Sequence, residues 1–425
     1  MMMSMYSAVS GLKSQQTRLN VIGNNIANIN TLGYKSQTVS FSDLLSQTVS
    51  SAGAASGTTG GTNAKQIGLG TQVAAISTDM NTGSSQYTGS DTDVALSGAG
   101  FFVVQGGGTG KYQFTRAGNF GVDSDGNLVV NGMKVCGWDS KYYSATTETF
   151  NTQSAVAPIN LFTDANGASK QVIAPQVTTT ASLSGNLDNT GATAANPKTA
   201  STTLTVYDAK GVGYDTIVTF TATGTTGSWA VSVQTPSGAT AATVTTPITV
   251  SGTGAITPTS LTLGLTGLTD GAANISIPVS ITGVSGYASS SGTSSVSVSS
   301  IDGYASGTLQ DFSIGTDGVI TGSYSNGQKK PLGMLGLATF VNPSGLEKIG
   351  DNLYTTTVNS GEFSGAVAAG TGGSGKLTTG AWEMSNVDLA SQFSDMMITQ
   401  RAYQANSKII TTSDTLMETL INMSR

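Results

Sequence analysis

Residues 385–425 read SNVDLASQFSDMMITQRAYQANSKIITTSDTLMETLINMSR, with no glycine or proline, in a chain that holds 55 glycines and 9 prolines. Along this stretch Leu389, Met396, Tyr403, Ile410 and Met417 recur every seven residues. Phe393, Met397, Ile409, Leu416, Leu420, Ile421 and Met423 widen the stripe. A strict seven-residue apolar repeat marks a helix that pairs with another helix, rather than one lying alone on a surface. At about 1.5 Å per residue such a helix runs about 60 Å. Ser385, followed three residues on by Asp388, resembles a capping box with Asp in place of Glu, and sets the expected start.

The opposite end repeats the theme. Met5, Leu12, Leu19 and Ile26 are spaced by seven, and Val9, Ile22 and Ile29 complete one face. The pattern stops at Asn30-Thr31-Leu32-Gly33, so a helix of about 40 Å is expected over 4–30. Polar or small residues interrupt both stripes at Gln16, Gly23, Gln400, Ser407 and Asp414. The pattern leaves two arrangements open: a helical hairpin within one chain, or a helical core built between chains.

Everything between the ends reads as short strands. Gly98–Val104 is an apolar strand after a tight turn, and Asp123-Ser124-Asp125-Gly126-Asn127 turns a hairpin between Phe120–Val122 and Leu128–Val130. Alternation is clear in Leu204-Thr205-Val206-Tyr207, in Ile217–Phe220 and in Trp229–Val233, which predicts an all-β region with threonine on its solvent face. Residues 50–64, rich in Gly, Ala, Ser and Thr, read as a linker or extended loop. The expected fold is mainly β with long terminal α-helices, in nested discontinuous domains. These are a helical core from 1–33 and 384–425, an extended linker region at 34–85, an inner β domain from 86–148 and 311–383, and an outer β domain inserted at 149–310.

Composition excludes several functions. Hydrophobic residues make up 38% and charged residues only 10%, so most of the chain should fold. The net charge of −6 gives no electrostatic footprint for nucleic acid or an anionic membrane. Histidine is absent and Cys136 is the single cysteine, which removes the commonest general base, the commonest metal ligand and any intrachain disulfide. An enzyme, a cofactor and a bound metal are therefore not expected. The first basic residue is Lys13 and no apolar run of signal-peptide length follows it, so neither a cleaved secretion signal nor a membrane span is expected.

Individual motifs add no chemistry. Gly106–Lys111 lacks the spacing and the Ser/Thr of a phosphate-binding loop. Asp123–Asn127 lacks the terminal glutamate of a calcium loop. Lys329-Lys330 is a solvated turn, and Cys136 beside Trp138 reads as a small buried hydrophobe.

Three stretches carry a family resemblance. Ser10-Gly11-Leu12, then Leu19–Asn28 with Asn24, Asn25 and Asn28, then Leu32-Gly33-Tyr34-Lys35 resemble the opening motif of the bacterial flagellar rod and hook family. Ser385–Leu389, with Asn386 and Asp388, and Gln400-Arg401-Ala402-Tyr403-Gln404-Ala405-Asn406 resemble its ending. Tyr112–Trp138 resembles its first β domain, while Leu204–Gly211 is similar to the outer domain of its hook branch and Phe340–Asn352 to the return into that branch's inner β domain. The resemblance implies a structural subunit of an extracellular, hollow, bendable helical tube that passes motor torque from rod to filament. It implies export through the flagellar type III apparatus and contacts with further copies of itself. It also implies contacts with the distal rod protein below, with the hook–filament junction protein above, and with a hook cap during assembly. It makes Met5, Val9, Leu12, Leu19, Ile22, Ile26, Ile29, Leu389, Phe393, Met396, Tyr403, Ile410, Met417 and Leu420 the expected subunit interface. It also offers Cys136 for an intersubunit crosslink to a lysine through dehydroalanine. The rival readings are the distal rod branch and a surface adhesin-like β protein.

Overall fold

The computed structural model describes every residue except 1, 56–59, 107, 109, 189, 191–196, 224–226, 245, 246, 291, 424 and 425. It is mostly β, with two long terminal helices, α1 (Met2–Ala27) and α2 (Leu389–Met423). The chain divides into two compact units. One holds Met1–Ala168, Phe312–Thr321 and Pro331–Arg425, and the other holds Ser169–Asp311 and Gly322–Lys330.

In the first unit α1 and α2 pack antiparallel. Gly11 faces Asn406 closely enough that a Cβ there would sit 2.8 Å from the Asn406 amide nitrogen. Further along, Arg18 pairs with Asp395 at 3.0 Å and Asn25 bonds Gln392 at 3.1 Å. Helix α1 stops at Ala27, three residues before the expected end, and the chain then turns to Gly33 at φ +64°. Helix α2 starts four residues later than expected, and the capping box at Ser385 does not form. Asp388 is itself the cap: its Oδ1 accepts from the Ala390 amide at 3.0 Å and its carbonyl from the Gln392 amide. Ser385 instead accepts from the Val387 amide, ahead of the helix. Asn386 ties this lead-in segment to the backbone of Ser36 and Asp79, and Val387 is buried.

After α1 the chain forms a long antiparallel ribbon. Strand β1 (Gln37–Asp43) pairs with β4 (Thr71–Thr78), and β2 (Ser46–Ser50) with β3 (Lys65–Gly68). The glycine-rich stretch 50–64 lies at the far end of this ribbon, where Gly53 bridges Thr62 and residues 56–59 fall outside the described set. Ser10 and Ser14 of α1 bond the backbone of Thr71, opposite Asp43, which lays the helix along the β1–β4 pair.

Beyond the ribbon, strand 101–105 pairs with 112–115, 133–139 and 337–338, and 353–355 closes against 112–115. Phe101, Val103, Phe114, Trp138, Met334 and Tyr354 pack around them. The predicted hairpin 121–130 is present, with Gly126 at φ +83°. The Asp123 carboxylate accepts from the Asp125 and Asn127 amides and the Asn127 side chain, so the turn's own donors occupy it. The Gly106–Lys111 loop is only partly within the described residues.

The second unit contains two five-stranded sheets. One is ordered 241–244, 260–266, 275–285, 181–186, 295–301, with the strands 181–186 and 275–285 parallel. The other runs 199–207, 213–222, 228–234, 248–250, 256–257. Leu204, Val206, Phe220 and Trp229 of one sheet join Leu263, Ile277 and Val279 of the other in a single core. The alternation read from Leu204-Thr205-Val206-Tyr207 is the alternation of burial in the strand. Among the described residues no helix is long and apolar enough to cross a membrane.

Candidate assembly surface

The two helices do not pair through their apolar stripes. Helix α2 turns Gln392, Thr399, Asn406 and Ser413 toward its partner, again seven residues apart, and Thr399 and Ser413 are its buried residues. From α1 the buried residues are Ala8, Ser14, Ile22 and Asn25. Small and polar side chains let the backbones approach closely. Thr399 Oγ1 donates to the Asp395 carbonyl of its own helix, and Ser14 to that of Ser10, so these hydroxyls are satisfied without a partner.

Half of the fourteen apolar residues expected at the subunit interface are exposed. Met5, Val9, Leu389, Phe393, Tyr403, Met417 and Leu420 are exposed, with Phe393 at 49% and Leu420 at 48%. Leu12, Leu19, Ile26, Ile29, Met396 and Ile410 are half-buried, and Ile22 alone of the set is buried. Tyr6, Met397, Ile398, Ile409, Leu416 and Ile421 extend the exposed set. Solvated side chains of this size form patches that mark interaction sites.

Where the helices meet the β region, the motif residues converge. Asn25 is almost fully buried. Its Nδ2 donates to the Gln37 carbonyl at 2.8 Å and to Gln392, while its Oδ1 accepts from the Gln37 amide and the Tyr34 hydroxyl. Asn24 donates to that same hydroxyl, and Asn28 folds back onto Asn24. Asn386 accepts from the Ser36 amide at 2.8 Å and donates to the Asp79 carbonyl. Gly33 sits where a Cβ would lie 2.9 Å from the backbone of Arg116 and Ala117. Gln400 and Arg401 lie away from this junction, both exposed, with Arg401 bonded to Gln404 at 3.3 Å.

A buried ionic cluster lies at the same junction. Glu383 holds Lys35 at 2.6 Å through one oxygen and Arg116 at 3.2 Å through the other. It also accepts from the Gly83 amide, and its carbonyl accepts from the Gly33 amide. Burial lowers the Lys35 ammonium from its ordinary value, and the Glu383 charge partly restores it. Sequence reading missed this cluster because its members are far apart in the chain. The polar repeat of α2 was visible in the spacing but was masked by the apolar one.

Cys136 lies fully buried beside Trp138 and Phe114, and burial pushes its thiol up to about 12. In this fold its sulfur is not offered to a neighbouring chain.

Family models match the chain along its length. They are the Flagella basal body rod protein model over residues 5–35 and the Flagellar hook protein FlgE/F/G D1 domain over 95–169. The Flagellar basal body protein FlaE D2 domain follows over 176–304, and the Flagellar basal body rod FlgEFG protein C-terminal model over 378–423. The chain belongs to the flagellar basal-body rod and hook family of structural proteins. Within that family, full-length similarity runs to hook proteins. The Flagellar hook protein FlgE of Treponema pallidum is 37% identical and that of Salmonella typhimurium 34%, covering 100% and 99% of this chain and all of each relative. The Flagellar basal-body rod protein FlgG of Bacillus subtilis is 30% identical over the full length of both chains. The crystal structure of Helicobacter pylori flagellar hook protein FlgE2 covers 69% of this chain at 16% identity, with a TM-score of 0.46. The chain is thus a hook subunit, a non-enzymatic component of the extracellular flagellum that works as a homopolymer.

Proposed function

We propose that copies of the chain join head to tail through their terminal helices into a hollow, bendable tube that carries torque from rod to filament. The observation that carries this reading is the row of exposed apolar residues along α1 and α2, left free by a polar seam. Covering one such side chain is worth about 1.5–3 kcal/mol, so several per copy give firm contacts. Head-to-tail contacts that do not close generate an open helix. In this layout 1–33 and 384–425 form the inner tube, 86–148 and 311–383 the middle layer and 149–310 the outer layer, with 34–85 between. The sparsely charged, threonine-rich outer region suits surfaces that slide during bending. The distal rod protein, the hook–filament junction protein, the hook cap and the type III export apparatus are the partners of this reading. Electron microscopy of assembled protein tests it: curved tubes support the hook reading, and straight rods favour the distal rod branch.

A further inference from the structure

The charges on the two terminal helices are sorted along their length. The contacts of Gly11 with Asn406 and of Asn25 with Gln392 set one antiparallel register. In that register Lys13 of α1 lies level with the α2 segment between Arg401 and Lys408. From Met2 to Leu12 α1 carries no charged residue, and the Arg18–Asp395 pair is neutral as a unit. The hairpin therefore has a basic band at mid-height, made by Lys13, Arg401 and Lys408. Beyond Ser413, the charged residues among those described in α2 are Asp414 and Glu418. All five are exposed, and none of them has an ion pair among the described residues.

The acidic end is unfavourable in a single chain on two counts. Asp414 and Glu418 stand four residues apart on α2, where like charges repel. They also lie near the C-terminus of the helix, whose dipole favours cations there. Arg401 and Lys408 are seven residues apart and so share one face. Both groups fall outside the polar seam of Gln392, Thr399, Asn406 and Ser413, on a part of α2 that α1 does not cover. Around the acids, Leu416, Met417, Leu420 and Ile421 are exposed as well.

We propose that Asp414 and Glu418 of one copy pair with Lys408 and Arg401 of the next, with Lys13 flanking them, and that this pairing sets the axial register between copies. It deepens the helical interface proposed above and rests on it. Copies joined head to tail keep their helices parallel. The acidic end then meets the basic band when the next copy is displaced by about 15–20 Å along α2. With no displacement, acids would face acids and bases would face bases. The apolar stripe repeats every seven residues and so allows several offsets. Complementary charges select one offset and penalise those that bring like charges together.

Polymerisation of the full chain from monomer, followed by sedimentation, tests this through charge reversal. Reversing the acids (Asp414→Lys with Glu418→Lys) or the bases (Arg401→Glu with Lys408→Glu) should raise the critical concentration at least about tenfold. All four substitutions together restore opposite charges and should recover most of the loss. The positions are exposed, so circular dichroism and the melting temperature of each monomer should match the unaltered chain. Should the quadruple variant fold poorly, an equal mixture of the two reversed chains serves instead, since each then carries the charge the other needs. Sodium chloride raised from about 0.05 M to about 0.5 M should weaken assembly of the unaltered chain by screening. Unchanged critical concentrations for both reversed chains would overturn the pairing. So would loss of assembly in both with no recovery in the quadruple variant or the mixture. If Phe393→Asp blocks assembly while the reversed chains assemble normally, the charge pairing alone falls. If Phe393→Asp assembles normally too, the helical interface itself falls.

Discussion

Lys35 and Glu383 stand 348 residues apart in the chain, yet their charged atoms meet at 2.6 Å with both side chains closed off from solvent. One residue follows α1 and the other precedes α2, so the contact fixes where both helices leave the β region. With Arg116 on the second oxygen, Glu383 pairs with two buried cations at once.

Replacing Glu383 with Gln should therefore be costly. Two buried cations would lose their counter-charge, and breaking such a pair costs about 3–5 kcal/mol. The urea midpoint of the monomer should fall accordingly. Adding Lys35→Met should recover part of the loss, a coupling that a double-mutant cycle measures.

Phe393→Asp and Met417→Asp address the exposed stripe. Both side chains are solvated in the single chain, so the monomer's melting temperature should stay nearly unchanged. Polymerisation should fail, read by sedimentation and electron microscopy. Tubes of normal length from both variants would refute the helical interface.

Gly33→Ala should destabilise the junction. The left-handed backbone costs a non-glycine residue about 1–2 kcal/mol, and the new Cβ meets the Arg116 backbone besides. Chemical denaturation should show a loss at least that large.

Cys136 should resist thiol reagents at about pH 8 in the folded protein and react once the chain is denatured. On denaturing gels, assembled material should dissociate to single chains. A ladder of covalent multimers would show that the sulfur becomes accessible during assembly.

Acid should loosen the second unit at Asp188. Lys198 lies 2.7 Å from the Asp188 carboxylate, and that bond, with the Thr190 side chain, holds Asp188 well below the ordinary carboxylate range. A depressed value gives stabilisation that is present above about pH 4 and fades as pH falls below it. Lys198→Met should reduce that acid dependence, read by unfolding at several pH values.

Much of this architecture was legible in the sequence. The seven-residue spacing of Leu389 to Met417 and of Met5 to Ile26 located both helices, and the alternation around Leu204 and Ile217 located outer strands. Local pattern reports local periodicity, and there it succeeded. It did not reveal which face each helix shows its partner, because apolar and polar residues both recur every seven positions in α2. Packing of the Asn406 side-chain amide onto the backbone at Gly11 decides in favour of the polar set. The Ser385 signal failed because contacts distant in the chain intervene: Asn386 is bonded to Ser36 and Asp79, and Asp388 takes the cap. The ionic cluster around Glu383 leaves no sequence signature, since its members come together only on folding.

The polar seam between α1 and α2 also bears on what opening the hairpin costs. Its hydroxyls at Thr399 and Ser14 bond their own helices, so parting the helices strands neither group. What opening the hairpin gives up is the Arg18–Asp395 pair and the Asn25–Gln392 bond, since its exposed apolar side chains are not committed to closing it.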